Sequence, residues 1–115
     1  MQDKNVLSNE ELRKVRSTRH GSTVDLQFTI DSEAKRVKSE FVGMDGTDCL
    51  IFKFPDENKW GALDKDIVKD KSLIARYILE DETGEIIAFK VNVLLVLEEP
   101  CRLIFTSFPT AIQSH

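Results

Sequence analysis

The chain has 115 residues, enough for one domain with its own core and too few for two. Hydrophobic residues make up 41% and charged residues 31%, a globular composition rather than a disordered one. A formal net charge of -4 and a pI of about 5.2 argue against broad, sequence-independent binding to nucleic acid.

The longest apolar stretch, Val91–Leu97, is interrupted by Asn92 and falls far short of the roughly 20 residues that cross a bilayer. The polar start, MQDKNVLSNEEL, has no apolar h-region. Neither membrane insertion nor a secretory signal is therefore expected. Cys49 and Cys101 lack metal-ligand spacing and sit in or beside apolar strand patterns. Free buried thiols in a reduced, cytoplasmic protein are the expectation.

In chain order, Ser8 and Glu11 have the spacing of a capping box, with Leu7 and Leu12 placed as a hydrophobic staple. The helix they start has little apolar face beyond Leu12 and Val15, so it should be short, superficial and ended by His20-Gly21. Arg13, Lys14, Arg16 and Arg19 make it basic. Two readings of that cluster stand: cations that complement the C-terminal dipole, or a small anion or acidic-partner site at Arg13, Arg16 and Arg19.

From Val24 the period changes to two. Val24, Leu26, Phe28 and Ile30 alternate with Thr23, Asp25, Gln27 and Thr29, as in a half-buried antiparallel strand. Asp31–Lys35 reads as a polar connection, and Val37, Ser39 and Phe41 as a second strand ending near Val42. Gly43–Asp48 is a turn whose two glycines can both take positive φ. Cys49–Phe54 is apolar on both faces, hence a central strand, and Pro55 stops it. Asp56–Ser72 carries many charges and the single tryptophan; Trp60, Leu63, Ile67 and Val68 read as a helical turn or a loop that plugs one barrel end, with Trp60 a packing lid or a ligand platform.

Leu73–Leu79 resumes as a strand, and Glu80–Gly84 is a loose turn. Ile86–Leu97 and Arg102–Phe108 then form the densest apolar part of the chain, joined by the acidic corner Glu98-Glu99-Pro100-Cys101. Phe89, Val91, Val93, Leu95, Leu103 and Phe105 are the expected inward anchors, and Thr110–His115 a frayed tail. The chain divides into an arm over residues 1–22 and a barrel over residues 23–113. Six short strands with no crossover helix exclude a parallel βαβ sheet and point to an all-β fold, a six-stranded antiparallel split barrel with a short N-terminal helix.

Reaction chemistry is not visible. His20 and His115 lie near or at the ends, leaving no expected buried base beside either cysteine, and no metal site. Gly43-x-x-Gly46 lacks the lysine and helix of a phosphate loop. The runs Glu80-Asp81-Glu82 and Glu98-Glu99 sit in turns, as solvated charge does. No catalytic residue, cofactor or metal is expected.

The order of four segments carries a family resemblance: VDLQFTI, then SEFVGMDGTDCLIFKFP, then SLIARYILEDETGEIIAFKVNVL, then EEPCRLIFTSFPTAIQ. A strand leads through a glycine turn into an apolar strand closing at Pro55. Gly84 precedes Phe89 at the start of a later strand. The last strand begins after Pro100 and ends in Ser107-Phe108-Pro109. Over Thr23–Gln113 the chain resembles the N-terminal domain that precedes PilZ domains in flagellar-brake proteins of the YcgR type. The resemblance implies a split barrel and a role in cyclic di-GMP signalling to motility, biofilm or virulence. It implies a PilZ domain as partner, in the same chain or another, with flagellar motor proteins as further candidates.

The nucleotide motifs of that family, R-x-x-x-R at the domain junction and D/N-x-S-x-x-G within the PilZ domain, do not occur in this sequence. Arg13, Arg16 and Arg19 are spaced three apart and precede the first strand, so they are not the junction segment. Cyclic di-GMP is accordingly expected only through a PilZ partner, and the chain reads as an excised or a free-standing N-terminal domain. Two other classes remain: a split-barrel reductase binding flavin mononucleotide, by analogy of fold alone, and a pure protein-interaction module using the basic helix.

Overall fold

The alternation at Val24, Leu26 and Phe28 forms strand β1 (Thr23–Ile30), which folds back onto β2 (Glu33–Asp45) through Asp31 and Ser32 alone. Both turn residues have positive φ, 51° and 66°, the condition of a type I′ turn, whose twist matches that of the flanking strands. The expected connection to Lys35 is therefore mostly strand. The structure, a computed structural model, describes residues 7–56, 71–79 and 84–114. The Trp60 lid with Leu63, Ile67 and Val68, the Glu80-Asp81-Glu82 turn and His115 lie outside them.

β2 also runs past the expected end at Val42. It pairs with β1 up to Glu40 and from Phe41 onward with β3 (Cys49–Lys53), with a register shift between Phe41 and Gly43. Gly46 takes positive φ in the turn that follows, whereas Gly43 belongs to the strand. β4 (Ser72–Ile78), β5 (Ile86–Leu97) and β6 (Leu103–Ser107) complete the barrel. The strand order β4-β1-β2-β3-β6-β5 closes through β4–β5 pairing, and every neighbouring pair is antiparallel. Six antiparallel strands in a closed barrel and one short helix are the fold expected from periodicity. The tail departs from expectation: Gln113–Ser114 forms a short seventh strand, β7, on Ile87 and Ala88 of β5.

β5 repeats the behaviour of β2. Ser72 to Ile78 of β4 pair with its first part, Ile86–Asn92, and β6 with its second part, with a shift between Val93 and Leu95. That shift corrects the anchor list. Ile87, Phe89, Val91 and Val93 point inward, but Leu94 and Leu95 are 52% and 46% exposed, and Val96 turns toward the core instead. One extra residue reverses the alternation beyond it. On β6 the inward side chains are Ile104 and Thr106, both 0% exposed, while Leu103 and Phe105 are half-buried on the outer face. Thr106 remains satisfied because its hydroxyl donates to the Ser107 carbonyl at 3.0 Å.

The core gathers Val24, Leu26, Phe28, Leu50, Phe52 and Leu73 with the β5 anchors. Each half adds an edge-to-face aromatic pair, Phe41–Phe52 and Tyr77–Phe89, both with ring centroids 5.9 Å apart. Cys49 is half-buried and Cys101 exposed, both as free thiols, so the expectation of two buried thiols fails at the corner.

The bulge predicts an ordering of core substitutions. Ile104→Ala should cost about 2–5 kcal/mol in urea unfolding. Leu95→Ala should cost less than about 1 kcal/mol. The reverse order would mean that β5 continues without its bulge.

Candidate functional site

Helix α1 (Asn9–Arg16) starts as its sequence requires. The Ser8 hydroxyl accepts from the Glu11 amide at 3.2 Å, and the Ser8 amide donates to Glu11 Oε1 at 2.9 Å. Its end differs from expectation: Ser17, not His20-Gly21, is the C-cap. A single buried residue, Val15, anchors the helix face.

Polar contacts add to that anchor. Lys14 Nζ meets Glu85 Oε2 at 2.9 Å, with both side chains largely shielded from water. The Tyr77 hydroxyl, on β4, donates to the Lys14 carbonyl at 3.2 Å. The Ser17 hydroxyl donates to the same carbonyl at 2.8 Å, so side chains serve a group that a helix end leaves without an intrahelical partner. Burial pushes the Tyr77 hydroxyl above its ordinary pKa of 10.0. The helix is thus seated by Val15 in the core, with one ion pair and one phenol tying it to the β4–β5 hairpin.

The basic cluster divides. Arg13 is exposed and reaches Glu10 at 3.5 Å. Arg13 and Arg16 line one side of a shallow hollow of about 460 Å³ with Asn9, Leu12 and Ser17. Arg16 also borders a second hollow of about 490 Å³, where His20 and the Gly43–Gly46 turn contribute. Arg19 lies beyond the C-cap, exposed, and lines neither hollow. The structure therefore brings together two of the three residues. Among the described residues no cluster of His, Cys, Asp and Glu is arranged to hold a metal ion. None of their helices is long and apolar enough to cross a membrane.

A second concentration of cations lies on the outer face of β2, β1, β4 and β5. Arg36, Lys38, Arg76 and Lys90 occupy outward positions there, with Asp25 and Gln27 between them. Gln27 Oε1 accepts from Arg36 Nε at 3.1 Å and from Arg76 Nη1 at 3.0 Å. Beside it, a groove of about 400 Å³ runs between β4–β5 and the tail, lined by Ile74, Ile86, Ala88 and Ile112 with Arg76 and Lys90. Sequence reading had placed Asp25 and Gln27 on the outward side of β1. It had no means of setting Arg36 and Arg76 beside Gln27, because lateral strand order is not written locally.

The protein-family model PilZNR, described as flagellar protein YcgR, matches residues 19–109. No curated protein matches the chain. Among solved structures, that of the Bacillus subtilis inhibitor of motility (MotI/DgrA) shares the fold with a TM-score of 0.64 at 16% identity. The match covers 79% of this chain and 42% of that one, so the chain spans less than half of that structure.

Two measurements test how the helix is held. A double-mutant cycle on Lys14→Met and Glu85→Gln should give a coupling of about 1 kcal/mol, at the upper end of the range for ion pairs, whereas exposed Glu10–Arg13 should give about 0.5 kcal/mol or less. Tyr77 is the only tyrosine, so phenolate absorbance reports it alone. The unfolded chain loses this proton first as the pH rises, so the stabilisation is complete below about 10 and is lost on approach to the folded pKa. Tyr77→Phe should remove that alkaline loss; an unchanged alkaline limb would disprove the assignment.

Proposed function

The chain belongs to the PilZNR family of flagellar protein YcgR, and from that membership we propose that it is the non-catalytic regulatory barrel of a cyclic di-GMP-responsive motility regulator. The family match over residues 19–109 carries the reading, because it covers the barrel from before β1 to just past β6. The fold likeness to an inhibitor of motility agrees with it.

In this reading the barrel works beside a PilZ domain, joined in the same polypeptide or supplied by another, in the cytoplasm. The PilZ domain grips the nucleotide, since phosphate recognition calls for bidentate guanidinium contacts of the R-x-x-x-R kind and this sequence has no such segment. The barrel contributes rigidity and surface. Its two terminal elements meet on one hairpin: α1 through Lys14–Glu85 and Tyr77, and β7 through Ile87 and Ala88. A change in the attached domain that pulled on β7 would therefore act on the β4–β5 hairpin that also seats α1.

Titration calorimetry tests the division of labour. The 115-residue chain alone should show no cyclic di-GMP binding at micromolar or tighter affinity. The same barrel in a protein that includes its PilZ domain should bind. A micromolar constant for the isolated chain would sink the proposal.

A further inference from the structure

The cations on the outer face of β2-β1-β4-β5 have an arrangement that their number alone does not explain. Like charges brought close on one sheet face repel. Arg36 on β2 and Arg76 on β4 nevertheless converge across β1, where both donate to the same neutral atom, Gln27 Oε1, at 3.1 and 3.0 Å. Their donor nitrogens can be no further apart than the two bonds together. Each guanidinium has five N–H donors in a planar fork, so most remain for a ligand. Among the described residues, neither arginine is in an ion pair. Asp25 stands in register between Lys38 and Arg76 and offsets one charge of the four. A chain of net charge -4 thus presents a local cationic face.

We propose that this face docks an acidic segment of a partner protein, whose carboxylate is gripped by Arg36 and Arg76 and whose neighbouring apolar side chain enters the groove beside β7. Charge complementarity selects the partner, and the face argues for a polypeptide over free phosphate. Small phosphates are usually cradled by backbone N–H groups at helix starts or nests. Here β1 pairs on both sides, with β2 and β4, so its amides are committed to the sheet and side chains are the donors available. The adjoining groove, with Ile74, Ile86 and Ile112, is apolar where a phosphate would want donors and suits an aliphatic side chain. Exposed Ile78, paired with Ile86 across β4–β5, extends that apolar margin. Gln27 is a positioning residue, holding the two guanidiniums together before a ligand arrives, which reduces the ordering cost of binding. The inference deepens the regulatory reading by naming the chemistry of the partner, and rests on that reading only for the existence of one.

The test is fluorescence anisotropy of a labelled leucine–glutamate peptide titrated with the full chain at low salt. A leucine–lysine peptide and inorganic phosphate serve as comparison ligands. Arg36→Gln combined with Arg76→Gln should weaken peptide binding by about tenfold or more. Gln27→Met keeps both charges and should weaken it by about threefold. Arg13→Gln with Arg16→Gln, on the helix, should leave it unchanged. Thermal unfolding checks each fold, and Arg36→Gln alone, at an exposed position, should still show a loss of about threefold if the double variant fails to fold.

Equal binding of the leucine–lysine peptide, or displacement by phosphate at matching concentration, would overturn the proposal. So would a helix variant as damaging as the sheet variant, or a Gln27→Met protein that binds like the parent. Because no nucleotide enters the titration, failure here would leave the cyclic di-GMP reading intact. Tight nucleotide binding by the isolated chain would sink that reading without touching this one.

Discussion

The barrel depends on two strands that each change partner halfway. β2 leaves β1 for β3 near Phe41, and β5 leaves β4 for β6 near Val93, each with a register shift at the transfer. A bulge sharpens local twist and bends the strand, which is what a small sheet needs in order to close on itself. Closure removes most of the exposed ladder edges that a six-stranded open sheet would present for aggregation. The cost is a reversal of alternation: beyond the shift it is Val96 that packs against the core, and Leu94 and Leu95 are left facing water. The same residues in unbroken alternation would send Leu95 inward and lose the match of Val96 with Ile104.

That constraint also marks what the sequence could disclose. The capping box at Ser8 and Glu11 is a local chemical pattern, and the alternation of β1 is a local period; both survive folding unchanged. The strand count and antiparallel class follow from short periodic runs without crossover helices. A bulge has no such signature, because Val93–Leu97 is apolar at every position and either face could be inward. The Asp31-Ser32 turn was hidden for a related reason. It does with an aspartate and a serine what a glycine usually does, so composition suggested a longer connection. β7 has two residues and no periodicity at all; it exists because β5 offers an unpaired edge at Ile87 and Ala88.

The candidate sites divide along the same line. A cluster of arginines within one helix is visible in a linear sequence, whereas Arg36, Gln27 and Arg76 come from three strands and meet only through register. The two outer faces of the barrel show how much depends on that. The face carrying β1 and β4 is polar and cationic, while the face carrying β3 and β6 places Ile51, Phe105 and Leu95 in one cross-strand row. Apolar residues on both faces of Cys49–Phe54 point to a central strand, and β3 lies between β2 and β6.

Where the terminal elements attach decides how such a barrel can transmit a signal. A closed barrel is stiff, because bending one strand strains every ladder around it, so a regulatory change is carried more readily by elements docked upon it. Those elements are held weakly. β7 has two residue pairs, and α1 has Val15, one shielded ion pair and the Tyr77 hydroxyl. Low local stability is the property that lets a segment move while the core stays folded. Both sit on the β4–β5 hairpin, and the groove beside β7 continues into the cationic face through Arg76 and Lys90. Displacing β7 would therefore reshape one wall of the proposed docking groove without disturbing Phe28, Phe52 or Ile104. Signal and partner surface would then be coupled by contact over a few residues, with no change in the barrel itself.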